Sequence, residues 1–174
     1  MVMDLGLPLD NNNLQQVLER LKDEHEALKK ALDHVQEMTG HMIAMLGAEE
    51  SKCLLQEICK QMEVFIQQFE AHESWEEKMI LPILTEYANQ GMEPTFLTST
   101  WVLEEDHKRV ERFVHSFLHD AEQCEGADAT KFKKAISLLS LACSVCLEQL
   151  LSEEEIVFPL ANQILSDLND QAGE

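Results

Sequence analysis

The sequence predicts an all-α protein, an antiparallel up-down four-helix bundle. Three observations predict it. Helix formers dominate, and the 174 residues hold only 6 glycines and 4 prolines, too few for a loop-rich or strand-and-turn design. Those breakers cluster, with Gly47, Gly91 beside Pro94, and Gly126 beside Asp128 dividing the chain into four long segments. Each segment carries one apolar stripe at the spacing of a single helix face.

The helices are expected at about 12–46, 51–87, 98–122 and 128–168, forming one domain over 1–174. A small polar residue suited to capping stands at each start: Asn12 or Asn13, Ser51, Thr98 or Ser99, and Asp128. The first stripe runs Leu14, Leu18, Leu21, His25, Leu28, Leu32, Val35. The second runs Ile58, Met62, Phe65, Phe69, His72, Glu76, Met79, Ile83. The third runs Leu103, His107, Val110, Val114, Leu118, and the fourth Leu138, Ala142, Val145, Gln149, Glu153, Ile156, Leu160. Amphipathic helices of this length joined by short connections pack as antiparallel neighbours. Pro82 and Pro159 fall towards the ends of their helices, where a kink or a terminal turn is expected.

Composition narrows the function classes. With 13 Lys+Arg against 33 Asp+Glu the formal net charge is −20, which repels phosphate backbones and anionic lipid, so neither nucleic acid nor a membrane is an expected partner. No run of 18 apolar residues occurs, and the opening MVMDLGLPLD lacks the basic and apolar regions of a signal peptide. A cytoplasmic protein with reduced thiols is therefore the expectation. Five cysteines make an odd set; Cys143 and Cys146 have C-x2-C spacing but no second pair, and read as buried thiols on a helix.

The stripes contain ionisable intruders. His25, His72, Glu76, His107 and Glu153 each take a position where an apolar side chain is due. His72 and Glu76 lie about 40° apart, one turn along the same face. A carboxylate buried without compensation costs several kcal/mol. A metal ion removes the problem by neutralising the acids and accepting the imidazole lone pairs. Mixed imidazole and carboxylate donors suit iron or manganese better than calcium or magnesium.

The chain also reads as two copies of one half. Asp23-Glu24-His25 is answered by Glu105-Asp106-His107, 82 residues on. His72-x3-Glu76-Glu77-x4-Pro82 is answered by Gln149-x3-Glu153-Glu154-x4-Pro159, 77 residues on. In an antiparallel bundle this repeat gives a pseudo-two-fold site.

The set of an early His, an H-x3-E-E with a following proline, a third-helix His, and a second x3-E-E with Phe-Pro resembles the hemerythrin-like family, the HHE cation-binding domain. The resemblance implies a hemerythrin-like four-helix bundle holding non-haem iron, two ions in the family pattern. It implies His25, His72 and His107 as terminal ligands and Glu76 and Glu153 as bridging carboxylates. It further implies a small ligand such as O2, NO or peroxide, with binding, sensing or iron handling as roles.

One position departs from the pattern. Gln149 stands where the family has a histidine, ten residues before Pro159 as His72 is ten before Pro82. An amide oxygen is a weaker and harder donor than imidazole. The alternatives are an asymmetric pair of ions, a single iron or other divalent metal, or a degenerate site in a bundle that serves as an interaction module. Glu111, one turn after His107, is a candidate replacement acid, with a solvated position between Arg109 and Arg112 as its alternative. His34, His115 and His119 point away from the stripes and read as surface residues, the last two as an i, i+4 pair open to adventitious metal binding; His41 reads the same way unless Gly40 breaks the helix and brings it back. Glu77, Glu154 and Glu155 read as facing water or holding an imidazole N–H. The methionines 38, 42, 45 and 62 read as core or pocket wall, Trp75 and Trp101 as neighbours of the site. No general acid, nucleophile or substrate pocket beyond the ligands is visible, so catalysis is the least supported role. An apolar end at Trp101-Val102-Leu103 could pair with a second copy.

Overall fold

The computed structural model describes residues 11–45, 49–89, 94–124 and 129–172. The N-terminal decapeptide, the punctuating Gly47, Gly91 and Gly126, the proposed cap Asp128, and the side chains of Trp101, Val102 and Leu103 lie outside the described residues. Four helices follow in order: α1 (Asn11–Ala44), α2 (Glu49–Asn89), α3 (Pro94–Glu122) and α4 (Ala129–Ala172). No strand occurs among the described residues.

The helix limits differ from expectation for local reasons. α2 starts at Glu49, two residues before Ser51, with Glu49 and Glu50 in the first turn where acids complement the helix dipole. α3 starts at Pro94, because a proline at the first position lacks only an N–H that would be unpaired anyway. α1 runs unbroken through Gly40, so His41 stays exposed in its last turn. α2 and α4 continue past Pro82 and Pro159 to Asn89 and Ala172, so neither proline ends its helix.

Each helix packs against two neighbours, in the order α1–α2–α3–α4 and back to α1, with only a weak diagonal α2–α4 contact. The antiparallel arrangement follows from the core. One apolar cluster joins the start of α1 (Leu14, Leu18, Leu21) to the ends of α2 (Ile80, Leu84) and α4 (Val157, Ala161, Ile164). A second, larger cluster fills the other end, with Phe65, Phe69, Val114, Phe117 and Leu139 fully buried. Between the two lies the polar layer.

Two stripes turn slightly from the expected line beyond that layer. Ile80 and Leu84 are buried while Met79 and Ile83 are half-buried, and Val157 and Ala161 are buried while Ile156 and Leu160 are half-buried. The buried residues stand four and eight positions after Glu76 and Glu153, so beyond the layer the buried face turns by about 40° per four residues. Both halves of the repeat shift alike. Met42 and Met62 are core, but Met45 is 47% exposed at the end of α1. Cys143 and Cys146 are buried on α4, and none of the five cysteines forms a disulfide. α4 has an 18-residue window of mean hydropathy 1.7, apolar enough by length and composition to cross a membrane; here its apolar face lines the core against α1 and α3.

Candidate metal centre

The polar layer is built by all four helices at mid-height. α1 contributes His25, α2 contributes His72 and Glu76, α3 contributes His107, and α4 contributes Gln149 and Glu153, each no more than 4% exposed. Each sits within an apolar stripe, so the packing that buries the stripe also turns the polar group inward. Glu111, by contrast, is half-buried and stands outside the layer, and His34, His41, His115 and His119 are exposed.

The buried groups converge. His25 Nε2 and His72 Nε2 lie 3.1 Å apart. Glu153 reaches all three imidazoles: Oε2 is 3.1 Å from His25 Nε2 and 3.7 Å from His72 Nε2, and Oε1 is 2.8 Å from His107 Nε2. Two sets of three result, His25–His72–Glu153 and Glu76–His107–Glu153, each with donor atoms within 4.8 Å of one another. Glu153 belongs to both and lies between them. Each set could hold a cation.

The outer edges of the rings fix their tautomers. His72 Nδ1–H donates to Glu24 Oε2 at 2.8 Å, and His25 Nδ1 lies 3.2 Å from Glu154 Oε1. A carboxylate can only accept, so the ring must donate at Nδ1. A neutral ring so held presents a lone pair at Nε2. Two such lone pairs facing each other at 3.1 Å repel unless a proton or a metal ion lies between them. That separation matches two neighbouring ligands of one ion with bonds of about 2.1 Å.

The remaining atoms fit the same donor set. Both oxygens of Glu76, Oε1 of Gln149 and Oε2 of Glu153 are buried without an aligned hydrogen-bond partner among the described residues, as are Glu73 Oε1 and His107 Nδ1, which face each other on the outer edge. A native core leaves few such atoms, and each needs a cause. Glu153 Oε2 is close to His25 but not aligned with it, as expected of two groups that face a third. Gln149 Nε2 donates to Glu153 Oε1, which leaves the amide oxygen as its free donor to a cation. The residues therefore fit one or two metal ions.

Electrostatics without an ion shows the strain of the arrangement. Burial, then the charge of Glu153, pushes Glu76 up to about 8. Burial also raises Glu153, but the His107 hydrogen bond and the close approach of His25 and His72 outweigh it and hold that carboxyl well below the usual range. For His72 burial favours the neutral ring, yet the nearby Glu153 carboxylate and the bond to Glu24 prevail and raise it to about 9. His107 is raised for the same reason, with Glu153 as partner. Protons on imidazoles thus do, in part, what a divalent ion does better.

Two acids of the layer escaped sequence reasoning. Glu73 is 6% exposed, and its Oε1 lies 3.4 Å from His107 Nδ1. Burial pushes it up to about 7, His107 pulls it back, and the charge of Glu111 adds to the rise. Glu24 bonds His72 from the neighbouring helix. Their only sequence signal is adjacency, Glu24 before His25 and Glu73 after His72. Glu154, read as a possible holder of an imidazole, does hold His25. Beside His72, a cleft of about 320 Å³ between α1 and α2 is lined by Arg20, Glu24, Ala27 and Ala71 among others. Trp75 packs 6.4 Å from His72 between ring centres, with Arg20 over its face at 4.3 Å.

Neither a curated protein nor a solved structure matches the chain. The family model for the hemerythrin HHE cation-binding domain matches residues 16–161, a span that contains every group of the polar layer. The chain thus belongs to the hemerythrin family of HHE cation-binding domains.

Proposed function

We propose that this protein binds non-haem iron in its polar layer, one ion on the His25–His72 side and a second, weaker one on the His107–Glu76 side, and uses it to bind or sense a small ligand such as O2, NO or peroxide. The observation that carries the reading is the set of buried, unpartnered oxygens of Glu76, Gln149 and Glu153 facing inward-turned imidazoles. Nothing among the described residues satisfies these atoms, and leaving them unpaired costs on the order of 1–3 kcal/mol each. Mixed imidazole and carboxylate donors favour iron or manganese, and family membership favours iron.

The ligand roles follow the geometry. His25, His72 and His107 would hold the ions through Nε2, and Glu153, which belongs to both sets, would serve both. Glu76 serves the His107 side. Gln149 offers only an amide oxygen there, so that side has one imidazole against two. Bound iron with an incomplete ligand set would supply an open position for a diatomic molecule. Oxygen handling of this kind needs no further acid or nucleophile, which is why binding or sensing is preferred to catalysis.

A second reading is a helical interaction module with a degenerate site. The Gln149–Glu153 hydrogen bond favours it, since that contact closes without an ion. Alanine variants separate the two. His72→Ala and Glu76→Ala should each abolish iron uptake by the folded protein, whereas His34→Ala and His119→Ala should leave uptake at the parent level. Equal behaviour of the inner and outer variants would refute the ligand assignment, and a parent protein that binds no iron would favour the module.

A further inference from the structure

The outer edges of the three imidazoles follow a rule that the ligand set alone does not require. Each faces a carboxylate from an adjacent helix. Glu24 of α1 holds His72 of α2, Glu73 of α2 faces His107 of α3, and Glu154 of α4 faces His25 of α1. Each carboxylate is next in sequence to a residue of the inner layer: Glu24 to His25, Glu73 to His72, Glu154 to Glu153. Residues one apart on a helix point about 100° apart. One of such a pair can therefore face the bundle axis while the other faces the seam with the next helix.

We propose that Glu24, Glu73 and Glu154 are positioning residues, Glu24 and Glu154 hydrogen-bonding the Nδ1 edge of an imidazole on the neighbouring helix and Glu73 facing that of His107 without an aligned bond, so that Nε2 is presented to the centre. The inference rests on the metal-binding reading above and adds a ring of acids that orients its donors. Two members are themselves anchored. Arg20 Nε donates to Glu24 Oε1 at 2.7 Å, and Lys29 Nζ donates to Glu154 Oε1. Arg20–Glu24–His72 and Lys29–Glu154–His25 are thus cation–carboxylate–imidazole chains, and both end on the same side of the layer. Such a carboxylate fixes the ring's tautomer and angle and raises the basicity of its inner nitrogen. Glu73 has no ion pair with Lys or Arg among the described residues, and its contact to His107 is the longest of the three, at 3.4 Å.

The ring of acids is incomplete where the ligand set is. Asp106 precedes His107 as Glu24 precedes His25, which makes it the counterpart that would grip an imidazole at position 149. Gln149 offers none, and Asp106 instead lies 3.5 Å from Arg109 Nη1. The His25–His72 side is therefore orientated by two anchored carboxylates, and the His107 side by one unanchored one. This makes the first side the tighter cation site.

Zinc tests the inference, because Zn(II) is diamagnetic and takes the same imidazole and carboxylate donors. In zinc-loaded parent protein, proton NMR should show a slowly exchanging Nδ1–H resonance from His25. Glu154→Leu should abolish that protection and speed zinc release to a chelator by roughly 10- to 100-fold, while Glu154→Gln, which keeps an acceptor, should retain the resonance and release close to the parent rate. Glu73→Leu should affect only the second, weaker zinc, and it carries the same test at His107 should Glu154→Leu fail to fold. A folded Leu variant with the parent's ring-proton spectrum and release rate overturns the positioning role while leaving metal binding intact. A parent that takes up no zinc or iron overturns the metal reading, and this inference with it.

Discussion

At the scale of single residues, the centre turns on which side chains can afford to be buried without water. Glu76, with both oxygens unpartnered at 1% exposure, and Gln149, with its oxygen unpartnered at 2%, are the two most exacting positions. Gln149 is the more informative, because it breaks the two-fold pattern of the site. Gln149→His restores an imidazole on the His107 side and should tighten the weaker iron on the order of tenfold, about 1.4 kcal/mol, as read by metal titration of the metal-free protein. Unchanged affinity and stoichiometry would place residue 149 outside the ligand sphere. The inner groups were legible in the sequence because an ionisable residue on an apolar stripe is costly and demands a reason. His25, His72, Glu76, His107 and Glu153 all stood out that way, and all five reach the layer. Glu24 and Glu73 did not stand out. Each sits about 100° off its stripe, where an acid is ordinary, and its role depends on how the neighbouring helix is turned.

At the scale of elements, each helix serves two purposes along its length, apolar packing at both ends and donor placement in between. The larger cluster should therefore be separable from the centre. Phe117 on α3 is fully buried there, ten residues from His107 or about 15 Å along the helix. Phe117→Ala should cost about 3–5 kcal/mol of stability, seen as a lower denaturant midpoint, with iron per folded chain unchanged. Loss of iron from the folded variant would mean that the two layers are not independent. The four helices and their order were readable from stripe spacing and clustered breakers. Two features were not. The turn of the stripe after Glu76 and Glu153 depends on a choice between positions three and four residues on, both apolar in this chain: Met79 and Ile80, Ile156 and Val157. The last residues of α2 and α4, beyond the expected ends at 87 and 168, were also hidden, since a proline in the preceding turns signals a kink or a terminal turn.

At the scale of the whole molecule, the buried charges couple folding to protons and to metal. In the metal-free protein Glu73, Glu76 and His72 hold protons more tightly than in an unfolded chain, with pKa values raised to about 7, 8 and 9. The folded state therefore binds more protons than the unfolded one between about pH 5 and 9, and folding stability falls as pH rises through that range. A net charge of −20 acts in the same direction. The thermal midpoint of chelator-treated protein should thus be lower at pH 9 than at pH 6, and a rise over that interval would contradict the buried-carboxylate account. Glu153, held low, contributes the opposite slope only in acid. A cation held there would replace those protons and, by binding the folded chain in preference to the unfolded one, would raise stability with its free concentration.

The central claim is that imidazoles and acids from four helices share a cation in the middle of the bundle. Elemental analysis of freshly purified protein, paired with a visible spectrum before and after azide, tests it most directly. The account predicts about two iron ions per chain, or one where the Gln149 side stays empty, and an absorption band that azide shifts. A protein that contains no iron, takes none up from ferrous solution without air, and shows no azide-sensitive band would contradict it.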